Sequence, residues 1–167
     1  MVEPQTILLE DDGSIPNNDR LPLLVYENAL QGDERTPGGC RKLFQANGWS
    51  GNWVDGMYDY HHYHSTAHEV LGVTGGEARV QFGGPEGEIV EVQAGDLVVI
   101  PAGVGHCNLG SSRDFQVVGG YAGGRRWDMN TGKPEERPGV LENIRQVPDP
   151  ETDPVYGPDG PLLKAWG

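Results

Sequence analysis

Cysteine is scarce in this chain, and its two copies, Cys40 and Cys107, stand too far apart to form a thiolate metal knuckle. Their even number permits a disulfide, but nothing motivates one, and two free thiols suit a cytoplasmic protein. Basic residues are scarce too: 12 Lys and Arg stand against 25 Asp and Glu, a formal net charge of -13. Such a surface repels phosphate backbones, so no nucleic-acid partner is expected, while divalent cations would gather weakly around it. No apolar run approaches the roughly 20 residues that a membrane helix requires, so no membrane partner is expected either. Leu97 to Val104 is a short core strand and its turn. The opening residues Met-Val-Glu-Pro-Gln lack a basic stretch followed by an apolar one, so no secretory signal is expected.

Glycine (26) and proline (13) are plentiful, and they punctuate short apolar runs rather than form repeats. The 167 residues suffice for one domain with a real core. Runs between turn signals read as strands at Leu23–Tyr26, Trp53–His64, Val70–Thr74, Glu77–Phe82, Ile89–Val92, Leu97–Ile100, His106–Leu109 and Phe115–Tyr121. Many short strands at even spacing indicate an all-β antiparallel sandwich or barrel. Two short helices interrupt it. One spans Pro37 to Asn47, with Thr36 as cap and Asn47-Gly48 as its end. The other spans Gly139 to Val147, with Val140, Ile144 and Val147 at helical spacing and Pro148 stopping it. From Lys133 onward seven prolines break the pattern, so the tail reads as an extended arm on the barrel, held by Leu162, Leu163 and Trp166. A frayed tail is the alternative.

All five histidines fall in two stretches: His61, His62, His64 and His68 in one, His106 in the other. Imidazole is the commonest metal ligand near neutral pH, and a His-x-His pair on a strand puts both rings on one face. The spacing resembles the cupin superfamily. Its first motif, G-x5-H-x-H-x4-E-x6-G, lands on Gly56, His62, His64, Glu69 and Gly76 with every spacer the right length. Its second, G-x5-P-x-G-x2-H-x3-N, lands on Gly95, Pro101, Gly103 and His106 and fails only at Gly110, which replaces an Asn that is not a ligand. The wording around the motifs is similar to small single-domain bacterial cupins of the YjlB-like kind. The resemblance implies a jelly-roll β-barrel core over about residues 50–122, an arm over about 125–167, and a divalent metal held by His62, His64, Glu69 and His106.

Parity nominates further residues. On an unbroken strand from Gly56 to His64, Tyr58 and Tyr60 share the face of the paired histidines, and Tyr60 offers a phenol near the metal. A buried aromatic packing the barrel is the competing reading. Asn108 faces as His106 does and would reach a metal-bound water or substrate, whereas Cys107 faces away. Trp49 and Trp53 close the barrel mouth or pack its core. His61 reads as a surface or interface residue, and His68 is the alternative ligand to Glu69. Nitrogen and oxygen donors without thiolate suit Fe, Mn, Ni or Zn. The expected function is a metal-dependent oxygenase, isomerase or lyase acting on a small oxygen-bearing molecule. A non-catalytic metal or ligand sensor is the alternative. Exposed strand edges point to a homodimer.

Overall fold

The computed structural model describes residues 1–167. Its strands are β1 (Gln5–Leu9), β2 (Asn18–Tyr26), β3 (Trp49–Asp55), β4 (Glu69–Gly75), β5 (Glu77–Phe82), β6 (Glu88–Gln93), β7 (Leu97–Ile100), β8 (His106–Ser111) and β9 (Gln116–Ala122). Helices α1 (Pro37–Ala46), α2 (Gly139–Gln146) and α3 (Pro161–Ala165) complete it. The strands form two antiparallel sheets, one in the order β1-β2-β7-β4-β9-β3 and one in the order β6-β5-β8. The fold is the expected all-β jelly roll with a few short helices and a C-terminal arm.

The central strands of the large sheet are buried on both faces. On β4, β7 and β2, one parity (Leu71, Val73, Val98, Ile100, Leu23, Val25) faces the small sheet and meets Ala78, Val80, Phe82 and Val92. The other parity (Val70, Leu97, Val99, Leu24, Tyr26) faces outward and meets Cys40 and Phe44 of α1 and Leu162 and Trp166 of the tail. This is why Leu97–Ile100 is apolar at every position, a pattern that a half-solvated strand does not show. Helix α1 reaches the sheet over Gly72, where a Cβ would stand 2.7 Å from Cys40 Sγ and 2.9 Å from Phe44 Cζ. Cys40 and Cys107 are free and buried, and burial pushes the Cys40 thiol up to about 12.

Both expected helices form, and α1 carries a side-chain cap. Thr36 accepts the Gly39 N–H at 3.0 Å, and Gly48, at φ +78°, turns the chain out of α1. Strand β1 was not expected, because its five residues show no alternation and it forms by pairing with β2. Strand β2 tolerates Pro22 because the registered pairs to β1 and β7 leave position 22 unpaired.

One expectation is corrected. The strand read from Trp53 to His64 ends at Asp55, whose carboxylate takes the Gly56 N–H at 2.8 Å. Residues 56–68 form a loop that crosses the end of the inter-sheet space. It is tied down by backbone exchange between His62 and His106, by exchange between Tyr63 and Asn130, and by the Gly103 N–H on His64 O at 2.7 Å. The arm does not fray. Asp153, fully buried, accepts the Tyr26 hydroxyl at 2.6 Å and three backbone N–H groups, and the Trp166 indole donates to Pro22 O at 2.9 Å. Helix α2 lays Val140 on Tyr63 and Ile15, behind the histidine loop.

Candidate metal centre

Although the loop is not a strand, alternation survives locally: His62 and His64 face the interior while Tyr63 packs behind them. His62 and His106 exchange both backbone hydrogen bonds, 3.2 and 2.9 Å, which sets their rings side by side with centroids 4.0 Å apart. Each of the three rings has its Nδ1 on a backbone carbonyl. His62 meets Tyr60 O at 2.9 Å, His64 meets Asp128 O at 2.5 Å, and His106 meets Val104 O at 3.2 Å. A carbonyl only accepts, so Nδ1 carries the proton and the Nε2 lone pair is left free. Three buried imidazoles thus offer ring nitrogens within 4.8 Å of one another.

Glu69, the first residue of β4, brings its carboxylate to the same place. Its Oε1 lies 3.3 Å from His106 Nε2 and its Oε2 lies 3.6 Å from His64 Nε2. Register explains its second contact. Glu69 sits directly opposite Tyr121 of β9, and the Tyr121 hydroxyl donates to Glu69 Oε2 at 2.8 Å. Trp53 of β3 lies over Gly119, where a Cβ would stand 2.3 Å from its ring, and its indole N–H donates to the Tyr121 oxygen at 2.9 Å. Oε1 has no hydrogen-bond partner although it is buried. A buried carboxylate oxygen without a partner is costly unless a cation meets it. The donor set therefore fits a divalent ion: three free Nε2 atoms and one unpartnered anionic oxygen.

Burial opposes protonation of His64, but the neighbouring Glu69 charge outweighs it and raises this ring, so an ion taking its Nε2 competes with a proton. Burial alone would raise Glu69, but His64 and His106 hold it below the usual carboxylate range, so it is ionised. His62 is pushed down to about 3, mainly by burial and then by His106, and is a neutral donor. Burial lifts the Tyr121 hydroxyl well above the usual phenol range, with the Glu69 charge adding to it, so this hydroxyl keeps its proton.

The other expected residues lie elsewhere. Tyr60 is 43% exposed, stacks on Tyr58 at 5.0 Å and meets the His62 ring at 5.5 Å; it does not line the cavity and is not a buried core aromatic. Tyr58 does line the mouth. Asn108 spends its amide on Ser111 Oγ and on the Gly110 N–H, at 3.1 and 2.9 Å, and does not line the cavity. The Gly110 N–H thus closes a turn at the position where the motif departs. His68 faces the opposite side: its Nδ1 accepts the Ala102 N–H at 2.9 Å and its ring packs on Trp166. His61 is half-buried beside the loop, as a residue outside the donor set.

Two residues escaped the sequence reading. Tyr121 continues the inward parity of Val117 along β9, but its role depends on the β4–β9 pairing. Asp128 carries the carbonyl that orients His64, and its carboxylate binds the Ser65 N–H at 2.6 Å, the Ser65 hydroxyl and the Asn130 amide at 2.9 Å. Burial opposes its ionisation, yet these hydrogen bonds hold it below its ordinary value.

The site opens into a cavity of about 380 Å³ walled by Trp53, Met57, Tyr58, Leu71, Trp127 and Met129. A model of the cupin family matches residues 55–120. A Bacillus subtilis (strain 168) protein, "Uncharacterized protein YjlB", is 47% identical over 164 residues, covering 98% of this chain and 97% of its own. The chain belongs to the cupin family. Among solved structures this cupin is similar to acireductone dioxygenase from Bacillus anthracis with a cadmium ion in its active centre, at 20% identity and a TM-score of 0.38. That alignment covers 48% of this chain and 56% of the dioxygenase, so the cupin spans little more than half of that relative. It is also similar to a conserved protein with a double-stranded β-helix domain from Klebsiella pneumoniae, at 18% identity and a TM-score of 0.37, over 78% of this chain and 81% of that one.

Proposed function

We propose that His62, His64, Glu69 and His106 hold one divalent ion (Fe, Mn, Ni or Zn) and that the site is the centre of an enzyme. Its substrate would be a small oxygen-bearing organic molecule, and its reaction that of an oxygenase, isomerase or lyase. The observation that carries this reading is the shared orientation of the donors: three imidazoles, each with Nδ1 committed to a carbonyl, meet an unpartnered Glu69 Oε1. When bound, such an ion supplies a Lewis-acid position for a carbonyl or a water, and iron would add reactivity toward oxygen.

The chain supplies the rest. Tyr121 occupies Glu69 Oε2, so Oε1 is the oxygen presented. Glu69 is the only anionic donor and offsets one of the ion's two charges. Leu71, Met57 and Trp127 give the cavity an apolar wall that offers water no hydrogen bonds beyond those of the donor set. Tyr121 positions the carboxylate: its single hydroxyl proton is committed to Glu69 Oε2, which holds that donor in one orientation. The test is the metal content of protein purified from its native host, followed by oxygen uptake of the anaerobically prepared Fe(II) form with candidate substrates. About one ion per chain is expected, lost in His106→Ala. Parent protein holding no more metal than His106→Ala overturns the metal site. A metal-loaded protein without turnover returns the site to a sensor or storage role.

We also propose a homodimer. Strand β1 ends the large sheet with Leu8 58% exposed, and the arm is used up on its own barrel, leaving that edge uncovered. Sedimentation equilibrium at micromolar concentration should give more than the 18.1 kDa of one chain; that mass alone would exclude the dimer.

A further inference from the structure

We infer that the molecule received at this site carries at most one negative charge, borne by the atoms that meet the imidazoles, and is flat and apolar elsewhere. The inference rests on the metal reading above and names the ligand class for the same site. None of the chain's 12 Lys and Arg residues lines the cavity, whose only carboxylates are Glu69 in the depth and Asp55 at the mouth. A divalent ion offset by Glu69 leaves about one positive charge, which one anionic oxygen would satisfy. A phosphate, or a second carboxylate away from the imidazoles, would give up its hydration and meet no cation in exchange.

The walls indicate the remaining shape. Trp127 lies on the Tyr121 ring, with centroids 5.6 Å apart and planes 21° from parallel, and meets the His64 ring edge-on at 5.2 Å. Trp53, Leu71 and Met57 complete an interior that rewards a flat apolar body rather than a hydroxylated one. At the opening, Tyr58, Trp127 and Met129 are 53%, 43% and 38% exposed. Large apolar side chains gathered around one mouth, on a chain of net charge -13, mark a contact for an apolar ligand. The volume of about 380 Å³ lies at the small end of ligand cavities.

A matched pair of probes isolates charge. 4-Methylcatechol and 3,4-dihydroxybenzoate share one chelating edge and differ at the far side, where one bears a methyl group and the other a carboxylate. Both are titrated calorimetrically at pH 7 into the Zn(II)-loaded protein and into the metal-free protein, with zinc retention measured separately by equilibrium dialysis. The methyl compound should bind at least about tenfold more tightly, in the loaded form and in any form that binds either probe. Trp127→Ala should weaken it about fivefold. Met129→Lys should shift the ratio toward the carboxylate by about tenfold, since it adds the missing cation at an exposed position that tolerates change. Equal or tighter binding of 3,4-dihydroxybenzoate by the parent protein overturns the inference, as does binding of neither probe. Loss of zinc in dialysis refutes the metal reading instead, and the metal-free titrations then decide the ligand class by the same ratio.

Discussion

The Tyr121 hydroxyl donates to Glu69 Oε2 and receives the Trp53 indole N–H, so one carboxylate oxygen is committed and the other is free. Tyr121→Phe keeps the ring against Trp127 and removes the hydroxyl, leaving Glu69 Oε2 and the Trp53 indole N–H without that partner. Groups that orient metal ligands are worth about 10- to 100-fold in affinity, so this variant should bind metal about tenfold more weakly, and its two orphaned partners should also lower the unfolding temperature. Competition titration against a chromophoric chelator measures it, and unchanged affinity would mean that the hydroxyl does not orient Glu69. Glu69 itself separates the metals. Glu69→Gln keeps the shape and removes the only anionic donor, leaving a dication among neutral groups in a poorly solvated site. Imidazole contributes more of the binding for Zn(II) than for Mn(II) or Fe(II), for which carboxylate oxygen weighs more. The variant should therefore lose a larger factor for Mn(II) or Fe(II) than for Zn(II) in parallel titrations at one pH. Equal losses for every metal would place Glu69 outside the ligand set.

Loop 56–68 brings two of the four donors, and its hold comes from partners far away in sequence. Tyr63 behind it donates to Glu136 Oε1 at 2.7 Å, while the same carboxylate takes the Thr131 and Gly132 N–H groups, each at 2.9 Å. Burial would raise Glu136, but these donors outweigh it and hold it below 4.5. A carboxyl lowered in the folded state stabilises fully above its unfolded value, and that contribution fades as pH falls through the folded one. Glu136→Gln should therefore lower the denaturant midpoint at pH 7, and the gap to the parent should close below about pH 4; a constant gap would show that charge is irrelevant there. Such links explain what the sequence reading could reach. The His62/His64 parity and the motif spacings are local, so the donors were legible even though the strand imagined beneath them ends at Asp55. Tyr60 was nominated by carrying that parity through the loop; with the strand ended, its ring stays 5.5 Å from that of His62 but outside the cavity wall. Tyr121 and Asp128 stand 52 and 64 residues from the groups they orient, and no local period reports such pairings. Gly72 belongs to the same class, because its need for hydrogen is set by α1. Gly72→Ala should cost about 1–3 kcal/mol by overpacking, and Cys40→Ala in the same chain should restore part of it in chemical denaturation.

Across the whole molecule, two apolar layers sandwich the large sheet, one facing β5, β6 and β8 and one facing α1 and α3. The site lies where the inner layer ends, so its apolar floor is Leu71 and its cover is the histidine loop backed by α2. That position would couple the proposed ion to folding. Without metal, Glu69 Oε1 and three ring nitrogens share a buried space, and the loop is kept by its backbone ties and by the Tyr63–Glu136 and Ser65–Asp128 hydrogen bonds. With metal, four donors from the loop, β4 and β8 share one centre, so opening the loop also costs the ion. A ligand that binds only the folded chain stabilises it by about 2.7 kcal/mol at a hundredfold excess over its dissociation constant. For a chain of this size each kcal/mol raises the melting temperature by about 2–4 °C. Chelator-treated protein should therefore melt about 5–10 °C below protein given such an excess of Zn(II), and the increment should grow with the logarithm of free metal. His62→Ala/His106→Ala provides the control: its melting temperature should not respond to Zn(II), because weak accumulation of cations on the acidic surface would be shared by parent and variant. Scanning calorimetry over a series of free zinc concentrations decides the matter. A parent melting temperature that ignores zinc, or a double variant that follows it as steeply, would separate these histidines from any metal that stabilises the fold.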